Sequence, residues 1–382
     1  MKNKFLLLLL SLLAVGTLLV ACGEGNDGDT TPIDSGANNG EDVNDNNEGN
    51  DVANNDGEDG EFSVKMVTDT GGIDDKSFNQ SAWEGLQEFG ADFDVEVDYI
   101  HSSSTSDYTP NLNRLARSGT DLSFAIGFLM EDDVRTVAEQ NPDNQFAIVD
   151  MVVVDGEGNT YPNIANLTFA EHQGSFLVGV VAGLQTETDH VGFIGGVEGE
   201  LIKKFENGFK AGVKAVNPGA EISVQYAESF GDESRGQQIA SNFYNNGADI
   251  IYHAAGGTGL GVFSEAINRA RGGENVWVIG VDRDQHEEGE YDGGNVTLTS
   301  MVKRVDQAVY QVSEMTLEGN YPGGQVLEFG LDNQGVGIAE TSDNVTEDSL
   351  SAVEEWEQRI LSGEFEVPQT DDEYEAYLET LE

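Results

Sequence analysis

Short β-rich runs alternate with helical stretches from residue 64 to beyond residue 300, and that alternation limits the fold more than any other feature. Strands are predicted at Val64–Thr68, Val95–Ile100, Leu122–Gly127, Phe146–Asp150, Ile164–Thr168, Val191–Ile194, Ile222–Tyr226, Ile250–His253, Val276–Val281 and Val296–Leu298. Helices are predicted between most of them, at Phe78–Phe89, Leu112–Arg117, Asp132–Gln140, Phe169–Leu184, Lys203–Val216, Arg235–Asn245, Gly261–Arg271 and Val305–Leu317. Apolar strands separated by amphipathic helices imply parallel sheets covered on both faces. Residues 62–382 exceed what one modest core accommodates, so two doubly wound α/β lobes follow, with a cleft between them. The sequence divides them as 62–166 and 167–298, with crossover segments and acidic helices over 299–382. The stretch Phe176–Leu184 is apolar nearly all round and glycine-rich, which predicts close packing between the lobes.

The chain begins with a different kind of segment. Lys2 and Lys4 precede an apolar run, Phe5–Val20, that is short for a membrane span. It ends in Leu19-Val20-Ala21-Cys22, which resembles a bacterial lipobox. Residues 1–22 therefore read as a lipoprotein signal peptide, with Cys22, the one cysteine, as the lipidation site. The body would then face the extracytoplasmic side of a cell membrane, anchored through that lipid. Residues 23–61 are rich in Asn, Asp, Gly and Glu with almost no large apolar side chain, a composition that predicts a disordered acidic tether.

The formal charge of −53 comes from 71 acidic and 18 basic residues, and most of the acids lie outside the tether. A field of that sign repels nucleic acid and anionic membrane surfaces. It also destabilises the compact state at low salt. Molar salt shortens the Debye length to about 3 Å and removes most of that penalty, so the charge indicates a high-salt habitat.

Polar and aromatic residues recur just beyond the predicted strand ends, where α/β folds bind small molecules. The first strand leads to Asp69 and, after a Gly71-Gly72 turn, to Phe78 and Asn79. The third and fourth lead to Gly127-Phe128 and Asp150. In the second lobe the corresponding positions hold Phe205, Phe230, Asp282 and Lys303. Flat rings suit a heterocycle, carboxylates accept ribose hydroxyls, and a lysine donates to a ribose oxygen. An acid-rich cleft with one lysine repels a 5′-phosphate. Each ring also has a plainer reading: Phe205 shares a helical face with Phe209 and Val213, as a core residue would. Lys303 alone reads as a surface residue.

The turn Gly256–Gly261 follows a strand and opens a helix, yet lacks both dinucleotide and P-loop spacing. It reads as backbone brought close to an uncharged ligand. The five histidines are scattered without metal spacing, and no cofactor or metal is expected. Two other functions stay open. Asp69, Asp74 and Asp75 are similar to the calcium-binding cluster of nucleoside hydrolases, although Val67 stands where that chemistry needs another Asp. A sugar-binding receptor would also use rings and acids.

Seven motifs in order, IDDKSFNQ, QGSFLVGVVAGL, FENGFKAG, SFGDESRG, AGGTGLG, GVDRDQ and TSMVKRVDQAV, resemble the basic membrane protein family. These are nucleoside-binding lipoproteins, PnrA-like substrate-binding components of ABC importers, and the resemblance spans about 63–340. It implies a type I periplasmic-binding-protein fold, no enzymatic activity, a monomer, and ABC permease subunits as partners. It further implies a purine-type nucleoside bound between two aromatics, with acids and a lysine on the ribose. Carried over position by position, these are Asp69, Phe78, Asn79, Asp150, Phe230, Gly257, Asp282 and Lys303, with Phe205 the other candidate for the second aromatic wall.

Overall fold

In the computed structural model, which describes residues 61–381, the alternating pattern resolves into two six-stranded sheets. The signal peptide, Cys22 and all but the last residue of the tether lie outside the described residues. The strands are β1 (Ser63–Val67), β2 (Glu96–Ile100), β3 (Leu122–Ile126), β4 (Gln145–Val149), β5 (Ile164–Phe169), β6 (His190–Gly195), β7 (Glu221–Tyr226), β8 (Ile250–Ala254), β9 (Trp277–Asp282), the two-residue pair β10 (Glu290–Tyr291) and β11 (Gly294–Asn295), then β12 (Thr297–Lys303), β13 (Val326–Phe329) and β14 (Val336–Ile338). Between and after them run α1 (Phe78–Phe93), α2 (Tyr108–Arg117), α3 (Glu131–Gln140), α4 (Glu171–Gln185), α5 (Glu200–Val216), α6 (Glu233–Asn245), α7 (Thr258–Arg271), α8 (Val305–Leu317), α9 (Glu347–Leu361) and α10 (Asp371–Glu379).

The first sheet has the order β13-β5-β4-β3-β1-β2 and is parallel throughout. The second has the order β14-β12-β9-β8-β6-β7 and is parallel except for β14. Inner strands such as β3 (LSFAI) and β8 (IIYHA) are buried at every position, as sheets covered on both faces require. The edge strands β2 (EVDYI) and β7 (EISVQY) carry charged or polar residues at partly exposed positions, which discourages edge pairing. Period-two alternation splits the first lobe's core. Val64 and Met66 face Leu86, Phe89 and Phe124, whereas Val67 faces Tyr108, Leu112 and Val134.

The chain crosses between lobes three times: from β5 into α4, from β12 into α8, and from β13 to β14. Helix α8 packs back on α1, where a Cβ added at Gly85 would lie 2.2 Å from the Asp306 carbonyl oxygen. The glycines of α4 serve a different contact from the one predicted. A Cβ at Gly179 would lie 2.3 Å from the Phe209 carbonyl oxygen, and one at Gly212 would lie 2.0 Å from that of Phe176. The close packing joins α4 to α5 inside the second lobe rather than lobe to lobe.

Two further differences have simple causes. The strand predicted at Val296–Leu298 runs on through Lys303, because its polar residues Thr299 and Ser300 are buried in the sheet. The acidic tail forms α9 and α10, and it does more than lie on the surface. Trp356 and Phe365 pack against Phe176 of α4 with ring centroids 5.1 and 5.0 Å apart. Among the described residues no helix is long and apolar enough to cross a membrane.

Candidate functional site

The turn after β1 builds one wall of a cavity between the lobes. Asp75 stands just before α1 and accepts backbone N–H groups from Ser77, Asn79 and Gln80 at 2.9–3.1 Å, satisfying donors that a helix start leaves free. The Asn79 amide then joins two acids. Its Nδ2 donates to Asp69 Oδ1 at 2.7 Å and to Asp75 Oδ2 at 2.9 Å, and its Oδ1 accepts from the Asp69 N–H. Gly71 N–H also donates to Asp69 Oδ1. Asp69 Oδ2 faces Gly127, whose φ of +124° suits glycine and keeps that wall open.

A second group of charges closes the foot of the cavity. Asp150, directly after β4, and Asp282, the last residue of β9, have φ of +72° and +67°, a strained conformation that Asp tolerates and that recurs at functional sites. Lys303, the last residue of β12, is 1% exposed, and its Nζ lies 2.6 Å from both Asp150 oxygens. The hydrogen bond runs to Oδ2, because Oδ1 is poorly aligned and accepts none. Glu171, fully buried at the start of α4, places Oε1 3.3 Å from the same ammonium. The rings of Phe169, Phe78 and Phe205 surround Nζ at 4.8, 5.1 and 5.5 Å from their centroids. Burying this lysine contradicts the surface reading of it, and the carboxylates supply the reason.

The lobes also touch directly. Ser77 Oγ donates to Asp282 Oδ2 at 2.5 Å, Gln285 Nε2 donates to the Lys76 carbonyl at 2.9 Å, and Arg283 pairs with Glu84 at 2.8 Å. At the mouth, Phe128 of the first lobe meets Phe230 of the second edge to face, with centroids 6.2 Å apart.

The empty space of this pocket, counted with its opening to solvent, is about 510 Å³. Asp69, Phe78, Asn79, Asp150, Phe205, Phe230, Asp282 and Lys303 all line it. Gly257 does not; Gly256, one residue earlier, does. The expectation for the whole glycine turn narrows accordingly. A Cβ at Gly259 would lie 2.1 Å from the His253 ring, and one at Gly261 would lie 1.9 Å from the Glu233 carbonyl oxygen, so those two serve packing. Phe205 combines both readings offered by the sequence: it is 3% exposed within the core and still reaches the cavity.

The aliphatic lining residues Leu201, Ile202 and Val281 went unassigned from sequence; Phe128 was noted at a strand end without a role, and Asp75 only within the hydrolase-like run. Glu171 was missed too. A signal existed, since it is an acid between a buried strand and an apolar helix.

Burial sets the electrostatics. It pushes Asp69 up to about 7, with the Gly71 N–H opposing and Asp75 adding to the rise. Asp282 likewise rises to about 7 through burial, against the pull of Lys303 and Ser77. Burial outweighs the Lys303 charge at Asp150, which rises to about 6. For Lys303, burial lowers the pKa, but Asp150, Glu171 and Asp282 together outweigh it and hold the ammonium above its ordinary value. Asp74, the third acid of the hydrolase-like run, is exposed, while Asp69 and Asp75 are bridged by Asn79.

The family model described as "Bmp: ABC transporter substrate-binding protein PnrA-like" matches residues 62–371. A relative named "CD4+ T-cell-stimulating antigen" from Listeria innocua is 48% identical, covering 96% of this chain and 99% of its own. The "ABC transporter nucleoside-binding protein BmpA" of Lactococcus lactis is 39% identical over 81% of this chain and 89% of its own. Among solved structures, a solute-binding protein of an ABC transporter system from Aeropyrum pernix superposes with a TM-score of 0.74 at 26% identity, covering 84% of this chain and 97% of that one. A cleft between two doubly wound lobes, matched over nearly the whole described chain, places this protein in the PnrA-like family of ABC transporter substrate-binding proteins.

Proposed function

We propose that the protein is a lipid-anchored, extracytoplasmic receptor that binds a purine-type nucleoside and delivers it to an ABC permease without transforming it. The carrying observation is the cavity itself: an aromatic slot whose foot holds more buried carboxylates than ammonium groups. The base stacks on Phe78, with Phe230 as the facing ring; each stacking face contributes roughly 1–3 kcal/mol. Phe205, 3% exposed within the core, is the less suited second wall. Ribose hydroxyls donate to Asp282 and Asp150, and Lys303 donates to a ribose oxygen. Charge-assisted bonds of this kind contribute about 1.5–3 kcal/mol each. Asp69 Oδ2 and the Asn79 wall accept donors on the base.

A 5′-phosphate placed at that foot would meet Asp150, Glu171 and Asp282 in a desolvated site, so nucleotides are rejected. Ligand stabilises the closed lobes through contacts that exist only when both walls are engaged. The lipid on Cys22 and the acidic tether would hold this monomeric body near its permease. The high negative charge suits function in concentrated salt.

A thermal-shift panel in molar salt tests the reading, with guanosine, adenosine, inosine, free bases, ribose, galactose and the monophosphates as probes. Stabilisation by purine nucleosides alone is the expected pattern. A larger shift with ribose or galactose would replace the nucleoside with a sugar.

A further inference from the structure

Glu171 bonds to no ligand atom in the nucleoside reading and only adds negative charge there, yet it is fully buried beside the ammonium that this reading makes central. Its Oε1 accepts no hydrogen bond and lies 3.3 Å from Lys303 Nζ. Its Oε2 accepts from Lys204 Nζ, also at 3.3 Å, and Lys204 in turn donates to the Phe169 carbonyl oxygen. Positive and negative groups therefore alternate from Asp150 through Lys303 and Glu171 to Lys204.

The chain positions of these groups give the alternation its meaning. Asp150 directly follows β4 in the first lobe. Lys303 is the last residue before the crossing from β12 into α8, and Glu171 opens α4 immediately after the crossing from β5. The third crossing is attached through rings, since Phe329 of β13 stacks on Phe169 with centroids 5.2 Å apart. A buried acid with one oxygen left without a hydrogen bond is costly unless charge compensates it, so Glu171 and Lys303 hold each other in place.

We propose that Glu171 is a positioning residue: it fixes the Lys303 ammonium at the foot of the cleft and ties it to the interlobe crossings, so that ligand engaging Lys303 and Asp150 locks the lobes together. The ligand arm of this proposal rests on the nucleoside reading; the lysine arm does not.

The test compares the full chain with Glu171→Gln, which keeps shape and removes charge. Lysines are dimethylated with formaldehyde and borohydride, and Lys303 is followed by peptide mass spectrometry. With one counter-charge gone its ammonium deprotonates more readily, so Lys303 should react at least about fivefold faster while exposed lysines keep their rates. Guanosine dissociation should accelerate about tenfold, the scale of a charge-assisted contact, with association within about twofold of the native rate. Glu171→Asp retains the charge on a shorter arm and should fall between the two; it also supplies a folded variant if the glutamine fails to accumulate. Unchanged protection of Lys303 in Glu171→Gln overturns the proposal, as does native reactivity in Glu171→Asp if that is the variant obtained. If the native protein binds no nucleoside, the ligand reading fails and lysine reactivity alone decides the role of Glu171.

Discussion

Two acid clusters reach the same cavity, the second extending behind its lining to Glu171, and they are built in opposite ways. Asp69, Asp75 and Asn79 belong to one turn of the first lobe, and neutral N–H donors satisfy Asp75 from every side. Asp150, Glu171 and Lys303 come from three distant segments and are held by charge. Amide donors disperse a carboxylate's charge locally and ask nothing of the opposite lobe. An ion cluster spanning lobes is stable only while its members stay together. The first cluster is a rigid template, and the second is the part whose energy changes when the lobes separate.

The sharpest way to break that contrast is Lys303→Met. It leaves Asp150 and Glu171 buried without their shared counter-charge, which costs about 3–5 kcal/mol where a buried pair loses one partner. Chemical unfolding in molar salt should register the loss, and guanosine binding should fall below detection. A native unfolding midpoint would mean that the cluster is solvated and contributes nothing.

Next in size is the ring comparison. Phe78→Ala should weaken guanosine binding by about 1–3 kcal/mol, read by calorimetry, with little change in the unfolding midpoint. Phe205→Ala should show the reverse emphasis, because that ring is 3% exposed within the core. Equal losses of affinity would make Phe205 the second wall.

The smallest expected effect is on pH dependence. Folding raises Asp282 to about 7, so the stability it permits is complete below about 4 and is lost as pH climbs through about 7. Asp282→Asn stays neutral throughout. The variant should therefore match the native protein near pH 4 and exceed it at pH 8, by an amount on the order of 1 kcal/mol or more. Its guanosine affinity should fall. Differential scanning calorimetry at the two pH values checks the sign, and a variant less stable at pH 8 would contradict it.

This contrast also explains what the sequence revealed. Asp69, Phe78 and Asn79 lie within eleven residues of one another at a strand end, so a local pattern sufficed to find them. The β-α alternation and both sheets were legible for the same reason, since periodicity is local. Glu171 and the burial of Lys303 depend on a contact across more than 130 positions, which no local window contains. The packing of α4 on α5 was misplaced because glycine spacing reveals close approach without revealing the partner. Strands β13 and β14 were missed, being four and three residues long in the segment that crosses between lobes.

The central claim is that the cleft selects a neutral nucleoside by pairing rings with an excess of buried carboxylate. Isothermal titration of the purified protein with guanosine and with guanosine 5′-monophosphate, side by side in molar salt, addresses it most directly. Saturable binding of guanosine, with the monophosphate at least about a hundredfold weaker, is the predicted result. Equal affinity for the two would show that the buried acids do not govern selection.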